Sequence, residues 1–521
     1  PHLGFSLPAI WYTAHLVAPG LNVIGVTLPG FPYTVIGHND RIAWGLTNLQ
    51  SDQVDYFIEK TDAKHRYLYR GEWRPLARRE EDIAVRGDKP HHLVIESTRH
   101  GPLVTTHGAR LALDWPGLEP SFEVLAFRRL NRAHNVADFK AGLRDLAVPA
   151  LNVIYADADG NIAIAPHGHL PIRKHGLGRW PVDGSSGDYD WIGYIPDERL
   201  PFALNPPEHY LASANGRPAP VGYPFYLGWM WDPSYRSRRI HELLRTHDRI
   251  TLADMEKFQT DSHDSAAEAF VPVLVAAFDR QPYGDARVRT AIADLRHWDF
   301  NARAESVAET IWVTWFEVFR QTVWQNHFDA ARVEPWTGGW GFAGSNERQP
   351  EIEVLEFLTR EVPESPWFDD VRTPACETRD EVMRSSLMAA VKKLTVGRGV
   401  NMQEWRWGKT NVLRLHSLTG ASALDRGGLA LPGDEFTLNP GDNGSEVTGG
   451  ASWRMVVDLG NLEGSAGIYP GGQSEDPASS HYNDQVKPWA EGHYQPLYFE
   501  PEPGGLPAEQ VEFVVVLNPA L

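Results

Sequence analysis

The sequence predicts an α+β fold in which two sheet-rich portions enclose a helical one. Three observations carry this. Short apolar runs punctuated by Gly and Pro fill the first part of the chain, apolar residues at helical spacing dominate the middle, and β-branched and aromatic runs return at the end. The boundaries fall at 1–250 for the first sheet-rich part, 251–425 for a helical lobe and 426–521 for C-terminal strands that complete the core. A chain of 521 residues is long enough to bury a large core.

The early strands are Leu21–Leu28 and Tyr33–Ile36, followed by a Gly37-His38-Asn39 turn and a second run at Arg41–Gly45. A polar Thr47-Asn48 pair ends that run, and Asp52-Gln-Val-Asp55 follows at once. An amide-rich strand end beside an oxygen-rich loop is a place for chemistry. Ser121–Val148 changes to helical period, with Phe122, Leu125, Phe139 and Leu143 on one face. Leu151–Asp157 and Ile162–Ala165 are strands joined by the turn Asp157–Asn161, which lacks the later acidic ligands of a calcium loop. Residues 176–225 form a loop-rich excursion. Thr251 and Asp254 form a capping-box variant ahead of helices at Ala266–Phe278, Glu305–Trp324 and Arg379–Leu394. Strands resume at Trp453–Leu459, Ala466–Tyr469 and Val511–Val516.

Composition removes several classes of function. Hydrophobic content of 42% and charged content of 22% fit a compact globular chain and not a disordered one. A formal charge of −19 without a long Lys/Arg block argues against a nucleic-acid partner. Cys376 is the single cysteine, so an intrachain disulfide and a zinc ribbon are impossible. No apolar stretch approaches the roughly 18 residues of a membrane span. His167, His169 and His175 have no fourth ligand at metal-binding spacing, and strand histidines are the favoured assignment.

The stretch Gly37–Asp55, together with Pro1-His2-Leu3-Gly4, Leu28-Pro-Gly30, Tyr155-Ala-Asp157, Tyr210–Asn215, Gly450–Arg454, Pro470–Ser474 and His481–Gln485, resembles the large (β) chain of the penicillin acylase family of N-terminal-nucleophile amidohydrolases. The matches keep their order from the first residue to about Gln485. The resemblance implies a four-layer αββα sandwich with an inserted helical lobe, and a small (α) chain from the same precursor as partner. It also implies autoproteolytic processing and a periplasmic or secreted location. In that family an N-terminal Ser, Thr or Cys attacks the amide and its own α-amine takes the proton. The segment at which this chain starts lies roughly twenty residues after that nucleophile. The expectation is therefore a nucleophile upstream of Pro1, and a fragment that does not hydrolyse amides alone.

Residue by residue, the resemblance assigns catalytic positions to His2, Asn48, Asn215 and Arg236. His2 orients the nucleophile, the Asn48 main-chain N–H and the Asn215 carboxamide form an oxyanion hole, and Arg236 supports the site. Leu3, Ile36, Leu46 and Leu151 match the acyl pocket, whose aliphatic lining suits an apolar acyl chain held by area burial. Asp52, Val54, Asp55 and Gly178 match calcium ligands, hard oxygens that favour Ca²⁺ over softer-ligand metals. A β-lactam, an acyl-homoserine lactone and a lipopeptide all remain open as substrates. Two other functions stay in view: a glycoside hydrolase, suggested by 19 Trp and abundant acids, and a non-catalytic binding protein on the same scaffold.

Overall fold

A computed structural model describes residues 2–106, 108–281, 285–332, 350–441, 446–500, 506 and 510–516. The chain divides into two compact units, one formed by 1–40 with 233–521 and the other by 41–232.

In the unit 41–232 the alternation of buried and open residues along Ile42–Asn48 reflects a strand with one face on the core. It pairs antiparallel with Leu151–Asp157, which pairs with Ile162–His167 and, through it, with Ala203–Leu204. Trp44 and Tyr155 lie opposite one another and are buried, and Phe139 from the helix Val136–Leu143 packs on the Tyr155 ring at 4.6 Å between centroids. A second sheet runs in the order Ala77–Ile83, His91–Thr98, Gly101–Thr106, Ala109–Asp114, Asp55–Ile58, Val182–Asp183. Asp157 closes the tight turn as the sequence suggests, its carboxylate accepting from the main-chain N–H groups of Asp159 and Asn161 at 3.0 and 2.9 Å.

The other unit is built on a helical core. The helix Val307–Ala330 buries Trp312, Trp315, Phe316 and Phe319 in succession, the three- and four-residue spacing of one helix face. Trp312 stacks on Phe316 at 4.8 Å, and Trp315 on Phe319 at 5.1 Å. Helices Ser265–Arg280 and Arg379–Arg398 close the same core, and Thr251 with Asp254 forms the capping box of the helix Leu252–Gln259. The first residues are stitched to distant strands: His2–Gly4 pairs antiparallel with Gly449–Ala451, and Ser6–Leu7 pairs parallel with Val412–Ser417.

Two expectations are corrected. Gly37-His38-Asn39 is not the turn but the strand Ile36–Asn39 itself, leaving Asp40 and Arg41 before the next strand. Gly37 is needed for close backbone approach, since a Cβ there would fall 2.1 Å from the Ile24 carbonyl. Val511–Val516 forms no strand; its side chains are exposed and it has no strand partner among the described residues, so β-propensity had no sheet to act in. The helices within 251–425 lie in one unit with the first forty residues and the C-terminal strands, and Phe436 sits in their core.

Candidate functional site

In the unit 41–232, residues that face each other across an antiparallel pair share a side of the sheet. Trp44 opposes Tyr155, Leu46 opposes Val153, and Asn48 opposes Leu151. Trp44, Val153 and Tyr155 are buried, Leu46 and Leu151 are half-buried, and Asn48 is exposed. One apolar face thus rises from the core to an open end that finishes at Asn48.

Asn215 comes to that end from a loop 167 residues away: its Nδ2 donates to the Asn48 carbonyl oxygen at 2.9 Å. The bond is made to the carbonyl of residue 48 and uses one of the two carboxamide hydrogens. Asn215 has a φ of +61°, in the left-handed region that Asn tolerates better than most residues. Gln50 holds the loop in register. Its Nε2 donates to Asp232 Oδ2 at 2.7 Å, its Oε1 accepts from Asp232 N at 2.9 Å, and Asp232 N also reaches the Asn215 carbonyl at 3.2 Å. Asn48 Oδ1 accepts from Gln50 N at 2.8 Å, an Asx turn that fixes the strand end. On the opposite face Thr47 and Ser213 bond hydroxyl to hydroxyl at 2.6 Å, and Asn152 donates to Thr47 at 3.2 Å. No histidine accompanies these hydroxyls in the hydrogen bonds of the described residues, so nothing there activates either one as a nucleophile.

Three of the four calcium candidates, Asp52, Asp55 and Gly178, do come together, but around a side chain. Arg173 donates to both Asp55 oxygens, each at 2.8 Å, and to the Asp52 carbonyl at 3.0 Å; the Trp191 indole reaches Asp55 Oδ2 at 2.6 Å. Tyr226 donates to Asp52 Oδ2 at 3.0 Å. Gly178, at φ +70°, packs so closely that a Cβ would lie 2.1 Å from Asp55 Oδ1, and Val54 precedes the strand Asp55–Ile58. The Asp55 and Arg173 side chains are 2% and 4% exposed. With the Asp55 carboxylate spent on a guanidinium and an indole, this donor set fits an arginine and not Ca²⁺, and no chemical step is routed through a metal here.

Asp55 also stands directly opposite Asp114. Burial, with the charges of Asp55 and Glu119 added, pushes the Asp114 carboxyl up to about 7 against the pull of His100 and Arg99, and burial takes Asp52 up to about 6. A carboxyl raised in the folded state contributes stability below its unfolded value near 4, and that contribution is lost as pH rises through the folded value. The protein is therefore expected to lose stability between about pH 4 and pH 7 through Asp114. Urea midpoints at pH 5 and pH 8 check this: Asp114→Asn should show a smaller drop than the parent, and equal drops would remove Asp114 as the cause.

In the unit containing 1–40, His2 and Leu3 lie on an exposed edge strand paired with Gly449–Ala451. Residue 2 is open at its surface, while desolvation of its ring and then the charge of Arg236 hold its pKa well below the ordinary imidazole range. Arg236 belongs to the helix Ser234–Arg245. Arg454 is buried, donates to the Trp489 carbonyl and to Asn439 Oδ1 at 2.8 and 2.7 Å, and is drawn down to about 10 by that burial. Ile36 is 3% exposed, a core residue of the pair Leu21–Thr27 and Ile36–Asn39.

Sequence reasoning missed Arg173, Gln50 and a second polar network. His100 stacks on Phe57 at 3.9 Å with Glu59 at 2.7 Å from Nδ1 and Asp190 at 3.0 Å from Nε2; Tyr69 donates to Asp190 at 2.6 Å. The only signal in the sequence was the presence of these charges inside segments of strand composition.

Comparison with known proteins follows the same lines. A family model described as penicillin amidase matches residues 1–503. The chain is 29% identical over 524 residues to the acyl-homoserine lactone acylase QuiP of Pseudomonas fluorescens (strain Pf0-1), covering 96% of this chain and 63% of that protein. It is 28% identical over 515 residues to the penicillin acylase 2 proenzyme of Pseudomonas sp. (strain SE83), covering 96% and 64%. The chain thus spans a little under two thirds of these relatives. Among solved structures, a thermostable penicillin G acylase from Alcaligenes faecalis superposes with a TM-score of 0.74 at 22% identity, over 100% of this chain and 96% of that one. That likeness gives the fold, an α+β architecture shared with that acylase.

Proposed function

The chain belongs to the penicillin amidase family, and from that premise we propose that it is the large-chain part of an acylase that cleaves an apolar acyl group from a linear amide. The observation that carries this is the meeting of the Asn215 carboxamide with the main chain at Asn48, at the open end of an apolar face lined by Leu46 and Leu151. A neutral amide donor and a main-chain N–H held at a strand end suit stabilisation of a tetrahedral oxyanion. The apolar face suits an acyl chain, as in an acyl-homoserine lactone, a lipopeptide or a side-chain-bearing β-lactam.

In this proposal the nucleophile is an N-terminal Ser, Thr or Cys contributed by residues preceding Pro1, and His2 and Arg236 support it. A small chain from the same precursor completes the enzyme, which matures by autoproteolysis and works in the periplasm or outside the cell. The relative described as a proenzyme, and the extra length of both curated relatives, support a precursor of this kind. No described helix is long and apolar enough to cross a membrane.

The test is release of a primary amine from acyl-homoserine lactones of graded chain length and from phenylacetyl amides, using the protein produced with its preceding residues. Turnover that rises with acyl apolar area is the expected result. Saturable binding of the same compounds with no amine released would replace the acylase by a non-catalytic binding protein.

A further inference from the structure

We propose that Asp264, Glu309 and Asp434 bind one divalent hard cation, calcium, in the helical core of the unit that contains residues 233–521. The three come from separate places: Asp264 caps the helix Ser265–Arg280, Glu309 lies in the first turn of the helix Val307–Ala330, and Asp434 sits in the loop after the strand Arg426–Ala430. One ligand atom of each lies within 4.8 Å of the others, and all three residues are 0% exposed.

What turns an acidic cluster into a site is its unmet oxygens. Asp264 Oδ1 accepts from Ala266 N and Ala267 N at 2.7 and 2.8 Å, and Asp434 Oδ1 from Phe436 N at 3.0 Å. Asp264 Oδ2, Asp434 Oδ2 and both Glu309 oxygens have no hydrogen bond of regular geometry among the described residues, although the Trp312 indole and the Asp434 carboxyl lie close to the Asp264 carboxyl. None of the three forms an ion pair with a Lys, Arg or His among the described residues. Three ionised carboxylates cannot remain buried together without compensation.

Protonation meets part of the need. Asp264 and Asp434 can share a proton through a hydrogen bond between their carboxyls, but this leaves Glu309 with two buried oxygens and no donor. A cation meets all of it. Calcium binds oxygen at about 2.3–2.6 Å, so it bridges oxygens up to about 4.8 Å apart, and it accepts one carboxylate bidentately and others through single oxygens. That matches two aspartates with one oxygen already used and a glutamate with both unused. The smaller Mg²⁺ demands tighter octahedral geometry and keeps several waters, which a closed core does not favour. This site is separate from the Asp52/Asp55 cluster, where a guanidinium holds the place of a cation.

The experiment is metal analysis of the intact protein refolded with calcium and then dialysed against chelator, alongside Glu309→Gln and Asp52→Asn. The expected result is about one calcium per chain in the parent and in Asp52→Asn, with more than a tenfold loss in Glu309→Gln. No retained calcium in the parent, or equal retention in Glu309→Gln, overturns the proposal in favour of protonated acids. Should Glu309→Gln fail to fold, the parent refolded with terbium decides. Trp312, buried one turn along the helix from Glu309, should sensitise terbium emission that calcium suppresses, and absence of that emission overturns the assignment.

Discussion

Asn215→Ala, in the intact enzyme, is expected to lower kcat by about 10²–10³ while leaving KM within a factor of a few, the loss of one oxyanion donor worth about 2.7–4 kcal/mol. The reasoning starts from the hydrogen bond Asn215 Nδ2 makes to the Asn48 carbonyl. That bond orients the carboxamide by spending one hydrogen, and the second hydrogen of the same NH₂ group points about 120° away. In the proposed mechanism the carboxamide so oriented donates to the oxyanion, whose charge develops only as the tetrahedral intermediate forms. An interaction made in the transition state and absent from the ground state changes kcat rather than KM. A structural role for Asn215 predicts something different: a lowered urea midpoint with kcat intact in the folded fraction. Gln50→Ala separates orientation from donation, because it loosens the Asp232 bridge behind Asn215 without removing the donor. It should give a smaller fall in kcat than Asn215→Ala. A rate for Asn215→Ala equal to the parent's would take the residue out of the chemistry.

The pairing of Asn48 with Asn215 illustrates what the sequence could disclose. A short apolar run closed by the polar Thr47-Asn48 pair located the strand ending at Asn48, and Thr251 with Asp254 marked a helix start, because those signals are local. That a loop 167 residues on returns to the same strand end is not a local property; it became visible only through motifs shared with a family. Gly37 shows the opposite error. Gly-His-Asn has turn composition, but the glycine serves close packing against the carbonyl of Ile24 in the neighbouring strand, and sequence alone does not distinguish the two uses. Val511–Val516 has strand composition and no strand partner among the described residues. Arg173 was invisible for a further reason. Its segment, Pro171–Arg173, is a short strand in a loop-rich excursion, and nothing nearby in sequence indicates that its charge is spent on carboxylates some 118 positions earlier. Asp52 and Asp55 lie side by side, and the cation they face is the Arg173 guanidinium.

Arg173→Met should destabilise the protein by roughly 3–5 kcal/mol, the cost of removing one partner from a buried ion pair. Asp55 would be left 2% exposed with one indole N–H, opposite Asp114 and near Asp52. Bidentate geometry matters as well as charge. Arg173→Lys keeps the cation but cannot hold both Asp55 oxygens and the Asp52 carbonyl at once, so it should recover only part of the loss. The double variant Arg173→Met with Asp55→Asn should be more stable than Arg173→Met alone, because the damage lies in the orphaned charge and not in the missing contact. Urea midpoints, with amide exchange followed along Asp55–Ile58, measure all three. Calcium then discriminates between two accounts of the same carboxylates. If arginine occupies a place that a cation requires, added calcium should raise the midpoint of Arg173→Met and leave the Arg173 protein unchanged at this site. A midpoint for Arg173→Met equal to the parent's would mean that Asp55 is solvated or neutral, and that the guanidinium does not stabilise this part of the fold.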